Sequence, residues 1–424
     1  MHRRLIISLL FLFSLNLKAQ ETLSYNEIET KSMELYFDKE WGQLISFSQK
    51  IINSGTDYYA LHLRMSISFF ELGKYRKAAT EFENTLKFNS YDKLALEYLY
   101  YSNLFSGNYT GAKLVSRRFE GDLLKKTKES TFSPITDIRL EGGTRFISST
   151  NPEVGKINFY EFGTGQQINK RISVSEAFSI LTQDKIYSFT DSYTKLETKT
   201  TLALSQKQFY MALNYQITPS INVTPIIHFL KITVDQSNNQ AGSSAIQTIN
   251  NDFVTGIMFS KRFTYFSITP FATYSSLNDS IAFDSIYTQK GASISYYPFA
   301  NNKLSYTSTI NYHKSPGNSG YPVFRQALSV AFGKAFLSLE YCKGNEVINI
   351  ANSNSYLLNN SLDITNYKLS GLFSFDVTNK INLYAYYQFE DRQRLEKKTD
   401  SGYIVYPNLT YQFTTLLTGI KYKF

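Results

Sequence analysis

Between residue 135 and Phe424, apolar side chains recur at every second position in one segment after another. That period leaves little choice of local structure. Successive side chains on a strand point to opposite faces, so alternation makes one face apolar and the other polar. On 381–391, Ile381, Leu383, Ala385, Tyr387 and Phe389 alternate with Asn382, Tyr384, Tyr386, Gln388 and Glu390. On 303–313, Leu304, Tyr306, Ile310 and Tyr312 alternate with Ser305, Thr307, Asn311 and His313. In the last stretch Leu416, Thr418, Ile420, Tyr422 and Phe424 alternate with Lys421 and Lys423. Applied throughout, the pattern predicts about fourteen strands. They are 135–147, 157–167, 171–183, 204–217, 221–234, 247–261, 264–276, 286–298, 303–314, 323–333, 335–343, 365–377, 381–391 and 412–424.

The connections between them alternate in length. Short ones fall near Asn169-Lys170, 218–220, 261–262, 300–302, 333–334 and 378–380. Longer ones, rich in Ser, Asn, Asp and Gly, fall at 148–156, 184–203, 235–246, 277–285, 315–322, 344–364 and 392–411. A soluble sandwich turns its apolar faces to a core and a transmembrane barrel turns them to lipid; period alone does not separate the two. The alternating connections, the even strand number and the 33 Tyr and 33 Phe favour an antiparallel transmembrane β-barrel. The polar faces then line a lumen, which places Arg139, Glu141, Arg145, Arg325, Glu340, Lys421 and Lys423 inside, with Lys303, Lys368 and Asp376. The mixed signs fit either a selectivity lining or charges that pair within a filled lumen. The closing strand is expected to pair with 135–147.

Before residue 131 the period is helical and the chain repeats itself. Gly73, Tyr75 and Ala78 return 34 residues later as Gly107, Tyr109 and Ala112. This stretch resembles tetratricopeptide repeats, in which small residues sit where paired helices touch. Three repeats are expected, at 25–58, 59–92 and 93–126, the first degenerate with Trp41 and Leu44 at the matching positions. Such stacks present a concave surface, and by register Leu63, Ile67, Glu97 and Tyr101 could line it; Leu63 and Ile67 also fit an ordinary core. The expected domains are a signal peptide at 1–19, a tetratricopeptide-like helical solenoid at 20–130 and the barrel at 131–424.

The signal is read from Arg3 and Arg4, an apolar run from Leu5 to Leu17 and the small Ala19. Its removal takes the formal net charge from +9 to about +6. The charges are dispersed, with no basic run of the kind that binds nucleic acid. The single Cys342 rules out an intramolecular disulfide and any cysteine-based metal cluster. His62 and His228 lack carboxylate or Cys companions at metal-ligand spacing, and no cofactor is expected. One catalytic pattern is present: His313 and Ser315 lie two apart, so they share a strand face as a Ser–His pair requires. The alternation turns His313 inward, away from lipid, which weighs against a lipid hydrolase.

The terminal aromatic strand resembles the closing strand of bacterial outer-membrane barrels, which marks a chain for insertion by the barrel assembly machinery. Signal, repeats and barrel together resemble the YaiO-like outer-membrane barrel family, with Ser205-Gln206 before Phe209-Tyr210 as a further strand feature. They also resemble exopolysaccharide-export porins, which have longer repeat arrays. These resemblances imply a non-enzymatic outer-membrane protein with its helical domain in the periplasm. They imply a periplasmic protein or polysaccharide as partner and a part in export or assembly of surface polysaccharide. The alternative is a structural or adhesin-like barrel with a plugged lumen, using 184–203 and 344–364.

Overall fold

The computed structural model describes residues 23–127, 134–148, 154–190, 197–238, 246–278, 284–314, 320–345, 364–398 and 402–424. The predicted signal peptide lies outside them. The helical part consists of α1 (Tyr25–Phe37), α2 (Trp41–Asn53), α3 (Tyr59–Glu71), α4 (Tyr75–Phe88), α5 (Lys93–Phe105) and α6 (Tyr109–Val115), then a 3-10 turn and the short α7 (Asp122–Lys126). Helix starts recur at 34 residues in both series: Tyr25, Tyr59 and Lys93, then Trp41, Tyr75 and Tyr109. The period therefore marks three successive helix pairs.

Local chemistry sets the ends. Ser24 and Glu27 form a reciprocal capping box at α1, and the Asp92 carboxylate accepts from the Ala95 N–H at 2.6 Å. Within the second and third pairs the chain turns through Gly73 (φ 69°) and Gly107 (φ 73°), a left-handed conformation that glycine adopts without steric cost. In the first pair that position belongs to Lys39 (φ 59°). The repeated positions are buried in all three pairs: the small Ala78 and Ala112, and the larger Leu44 in the degenerate first repeat. Around them Phe69, Phe82, Leu96, Leu99 and Tyr100 make one continuous core.

The second part is a closed antiparallel barrel of fourteen strands, each paired with its sequence neighbours and β1 with β14. They are β1 (Ile135–Ser148), β2 (Val154–Gln167), β3 (Ile172–Thr190), β4 (Glu197–Thr218), β5 (Ile221–Asn238), β6 (Ile246–Arg262) and β7 (Phe266–Asn278). The rest are β8 (Asp284–Tyr296), β9 (Leu304–Lys314), β10 (Tyr321–Phe332), β11 (Ala335–Lys343), β12 (Ile364–Asp376), β13 (Ile381–Lys398) and β14 (Gly402–Lys423). Closure leaves no strand edge unpaired. The terminal segment pairs as expected, from Asp137 opposite Lys423 to Ser148 opposite Gln412.

The outer wall is apolar. Leu140, Ile257, Ile294, Ile310, Leu339 and Phe373 are all about half exposed, on the phase predicted to face lipid. A soluble protein does not present so continuous an apolar surface, and a barrel in a bilayer must. The short turns 168–171, 219–220, 263–265, 297–303, 333–334 and 377–380 gather at one end with both ends of the barrel.

The opposite end corrects the sequence reading. The stretches 184–203 and 392–411 were expected as loops. Instead β3 and β4 stay paired out to Thr190 opposite Glu197, and β13 and β14 out to Lys398 opposite Gly402. Strands β4 and β14 each run 22 residues, where about 9–11 suffice to cross a membrane. Beyond the lipid neither face needs to be apolar. The alternation therefore vanishes from the sequence while the backbone hydrogen bonds continue. Of the expected adhesive loop at 184–203 the described residues are paired strand, 191–196 lie outside the described residues, and so does most of 344–364.

Candidate functional site

The inner wall is the part of this molecule able to act on a solute. At mid-height of the barrel a ring of its side chains is sealed from solvent. Arg145 on β1, Leu181 on β3, Gln208 on β4, His228 on β5, Asp252 on β6 and Ser275 on β7 are all buried. So are Ile157 on β2, Gln289 on β8, His313 on β9, Arg325 on β10, Cys342 on β11, Thr365 on β12, Glu390 on β13 and Thr415 on β14. Every strand thus gives an inward residue to a closed belt.

The belt is held by charge pairing. Glu390 accepts from Arg145 Nη2 at 3.2 Å and from Arg392 Nε at 2.7 Å. Arg145 also donates to Thr415 Oγ1 at 2.9 Å, and both guanidiniums lie over the Phe413 ring, 5.2 and 5.0 Å from its centroid. Arg325 faces Glu340 at 3.2 Å. Nearer the short turns Lys421 meets Asp137 at 3.1 Å and Lys423 meets Asp376 at 3.0 Å. Of the predicted lining residues, Arg145 and Arg325 are buried in ion pairs, as charges shielded from water must be, whereas Lys421 and Lys423 are paired but partly open to water and Lys303 is exposed in the 297–303 turn. Glu141 lies on the same face, next to Tyr384. Arg139 packs directly over Gly163, and Tyr384 over Gly419, where any side chain would overlap the ring. Arg392 was missed because it falls in the segment read as a loop.

Toward the short turns the two sides of the barrel differ. Along β3–β7 an apolar cluster fills the interior, with Tyr210, Ile226, Leu230 and Phe271. Along β8–β11 the inward side chains carry hydroxyls that bond across strands; Thr309 is buried and the others are half exposed. Ser293 pairs with Thr309, Ser295 with Thr307 and Ser329 with Ser338, each at 2.8 Å. This side carries a row of inward hydroxyls below the belt.

The helical domain is docked on the short-turn end. Arg76, the second residue of α4, is the main anchor. Its guanidinium donates to the carbonyls of Phe263 (2.7 Å), Thr264 (3.0 Å) and Phe266 (2.9 Å) and lies 3.8 Å over the Tyr297 ring. Burial pulls its pKa below the usual arginine value. The Arg76 N–H donates to the Ala300 carbonyl at 2.8 Å, and Asn301 Nδ2 to the Gly73 carbonyl at 2.9 Å. Asn108 Nδ2 donates to Pro219, Lys170 Nζ to the Ser116 carbonyl and Arg262 Nη2 to the Ser106 carbonyl. The helix-pair turns at Gly73 and Gly107 thus sit on the barrel turns. No spacing or composition in the sequence distinguishes Arg76 from other surface cations.

Of the helical residues that could line a concave face, Leu63 and Ile67 take the core positions that also fitted them. Ile67 is buried in the helical core and Leu63 is half-buried against it. Tyr101 stacks on Phe105, and Glu97 is ion-paired with Lys126 at 2.6 Å. His62, read as lacking carboxylate companions, has Asp57 at 2.7 Å and Glu81 at 3.6 Å; the chain folds them together although no metal spacing links them. Among the described residues no cluster suits a metal ion. His313 faces inward as expected and stacks on Tyr321, ring centroids 5.7 Å apart; Ser315 lies outside the described residues.

Closure, an apolar outer wall and a polar interior define a transmembrane barrel of the outer-membrane type. No family model and no curated protein matches the chain. Among solved structures it is similar to the toluene transporter TodX of Pseudomonas putida, at 6% identity over 72% of this chain and 95% of that one, with a TM-score of 0.44. It is also similar to the toluene transporter TbuX of Ralstonia pickettii (10% identity, 69% and 90% covered, TM-score 0.43). A Pseudomonas aeruginosa FadL homologue matches at 11%, with 68% and 90% covered and a TM-score of 0.39. Identities and scores this low carry no statement about what enters this barrel.

Proposed function

We propose that this chain is a non-enzymatic outer-membrane barrel, closed at rest, whose tetratricopeptide-like domain faces the periplasm and is fixed to the barrel mouth. Its hydroxyl-bearing inner wall takes up a hydroxyl-rich chain during export or assembly of surface polysaccharide. The observation that carries this reading is the row of inward hydroxyls beside the docked domain, leading to the sealed belt. Hydroxyl pairs exchange partners readily with sugar hydroxyls, and ion pairs can part without breaking the wall. The test is single-channel recording in planar bilayers. The native chain is expected to be silent, and the double variant Arg325→Ala with Arg392→Ala to conduct. A folded double variant that never conducts removes the passage reading.

The belt itself favours a second reading, a structural surface barrel with a permanently filled lumen. That reading expects silence from both chains.

A further inference from the structure

Between the helical domain and the barrel mouth lies a cavity of about 240 Å³, whose lining includes Arg76, Arg262, Asn108, Asn222, Ser260 and Thr269. One water needs roughly 10–15 Å³, so the space holds a polyatomic ion with water to spare. Its lining contains two guanidiniums, amides, hydroxyls and Tyr297, and no carboxylate. Neither Arg76 nor Arg262 has an acidic partner among the described residues, although every belt cation discussed above has one. The two guanidiniums are also close enough to repel each other.

Their hydrogen bonds complete the picture. Arg76 spends Nε and Nη2 on backbone carbonyls. Arg262 gives only Nη2, to Ser106, so its Nε and Nη1 have no protein acceptor among the described residues. Arg76 is buried and Arg262 is half-buried beside it; two like charges this close without a counter-ion are costly, and an oxyanion is the ligand that relieves them, since a planar guanidinium fork matches two oxygens of a carboxylate or phosphoryl group.

We infer that this interdomain cavity is an oxyanion-binding site, which takes one carboxylate or phosphoryl group on Arg262 with Arg76 supplying the second charge. The site is independent of passage through the lumen, because it can fill in a barrel that never conducts.

The test is titration calorimetry on the full chain without its signal, folded in detergent at fixed ionic strength. The probes are inorganic phosphate and, separately, glucuronate. Saturable one-to-one binding of at least one probe is expected, weakened about tenfold or more in Arg262→Gln and less in Arg262→Lys, which keeps the charge. The exposed Arg117→Gln should bind as the native chain does. Barrel folding of each variant is checked by gel mobility without heating. Binding of phosphate alone assigns a phosphoryl source, glucuronate alone an acidic sugar, and both the shared oxyanion chemistry. If neither probe binds saturably, or folded Arg262→Gln binds as tightly as the native chain, the assignment is wrong.

Discussion

Replacing Glu390 by Ala removes the anion that joins two buried guanidiniums. Arg145, Glu390 and Arg392 have side-chain exposures of 5%, 1% and 4%, so solvent cannot take over the lost contacts. Arg392 loses its 2.7 Å bond and Arg145 its 3.2 Å bond, and the two cations then face each other over one Phe413 ring. Breaking a buried ion pair from one side costs about 3–5 kcal/mol, because the partner charge is left in low dielectric. That is roughly a hundred- to several-thousand-fold in the folding constant. Lys368, opposite Glu390 on β12 and half-buried, also interacts with that carboxylate, so its lost attraction adds to the penalty. The assay is equilibrium denaturant unfolding of the barrel in lipid vesicles, followed by circular dichroism. The variant carrying Met at positions 145, 390 and 392 is the control, since it removes both buried guanidiniums together with the carboxylate, leaves only the half-buried Lys368, and is expected to recover most of the lost stability. A loss below about 1 kcal/mol in Glu390→Ala, or a control as unstable as the single variant, would refute the argument that paired charges hold the belt.

Two further outcomes are expected. The carboxylates of Glu81 and then Asp57 raise the pKa of His62 above its ordinary 6.5, against an opposing effect of burial. A raised folded-state pKa contributes stability that is complete below the unfolded value and lost as pH rises through the folded one. Hydrogen-exchange protection of α3 and α4 should therefore fall as pH is raised from about 6.5 upward, and His62→Phe should flatten that slope; an unchanged slope contradicts the pairing. Gly419→Ala places a methyl inside the Tyr384 ring and should cost about 1–3 kcal/mol by the same denaturant assay, with Tyr384→Ala restoring tolerance to the methyl.

Alternation over 135–424, together with the alternating connection lengths and the even strand number, determined the barrel, its strand order and which side chains face inward. A period of two is local geometry, and in a closed antiparallel meander each strand's neighbours follow from chain order. The 34-residue spacing likewise determined the helix pairs. The ends of the long strands were not legible, because polar hairpins beyond the lipid carry no apolar period. Neither was the pairing of lumen charges. Arg145 meets Glu390 only because β1 and β13 both flank β14, a relation between residues 245 apart in sequence. The docking of Arg76 on the carbonyls around Phe263 was equally invisible. Backbone acceptors leave no mark in side-chain identity, and only the tertiary structure brings the helix-pair turns onto the barrel turns.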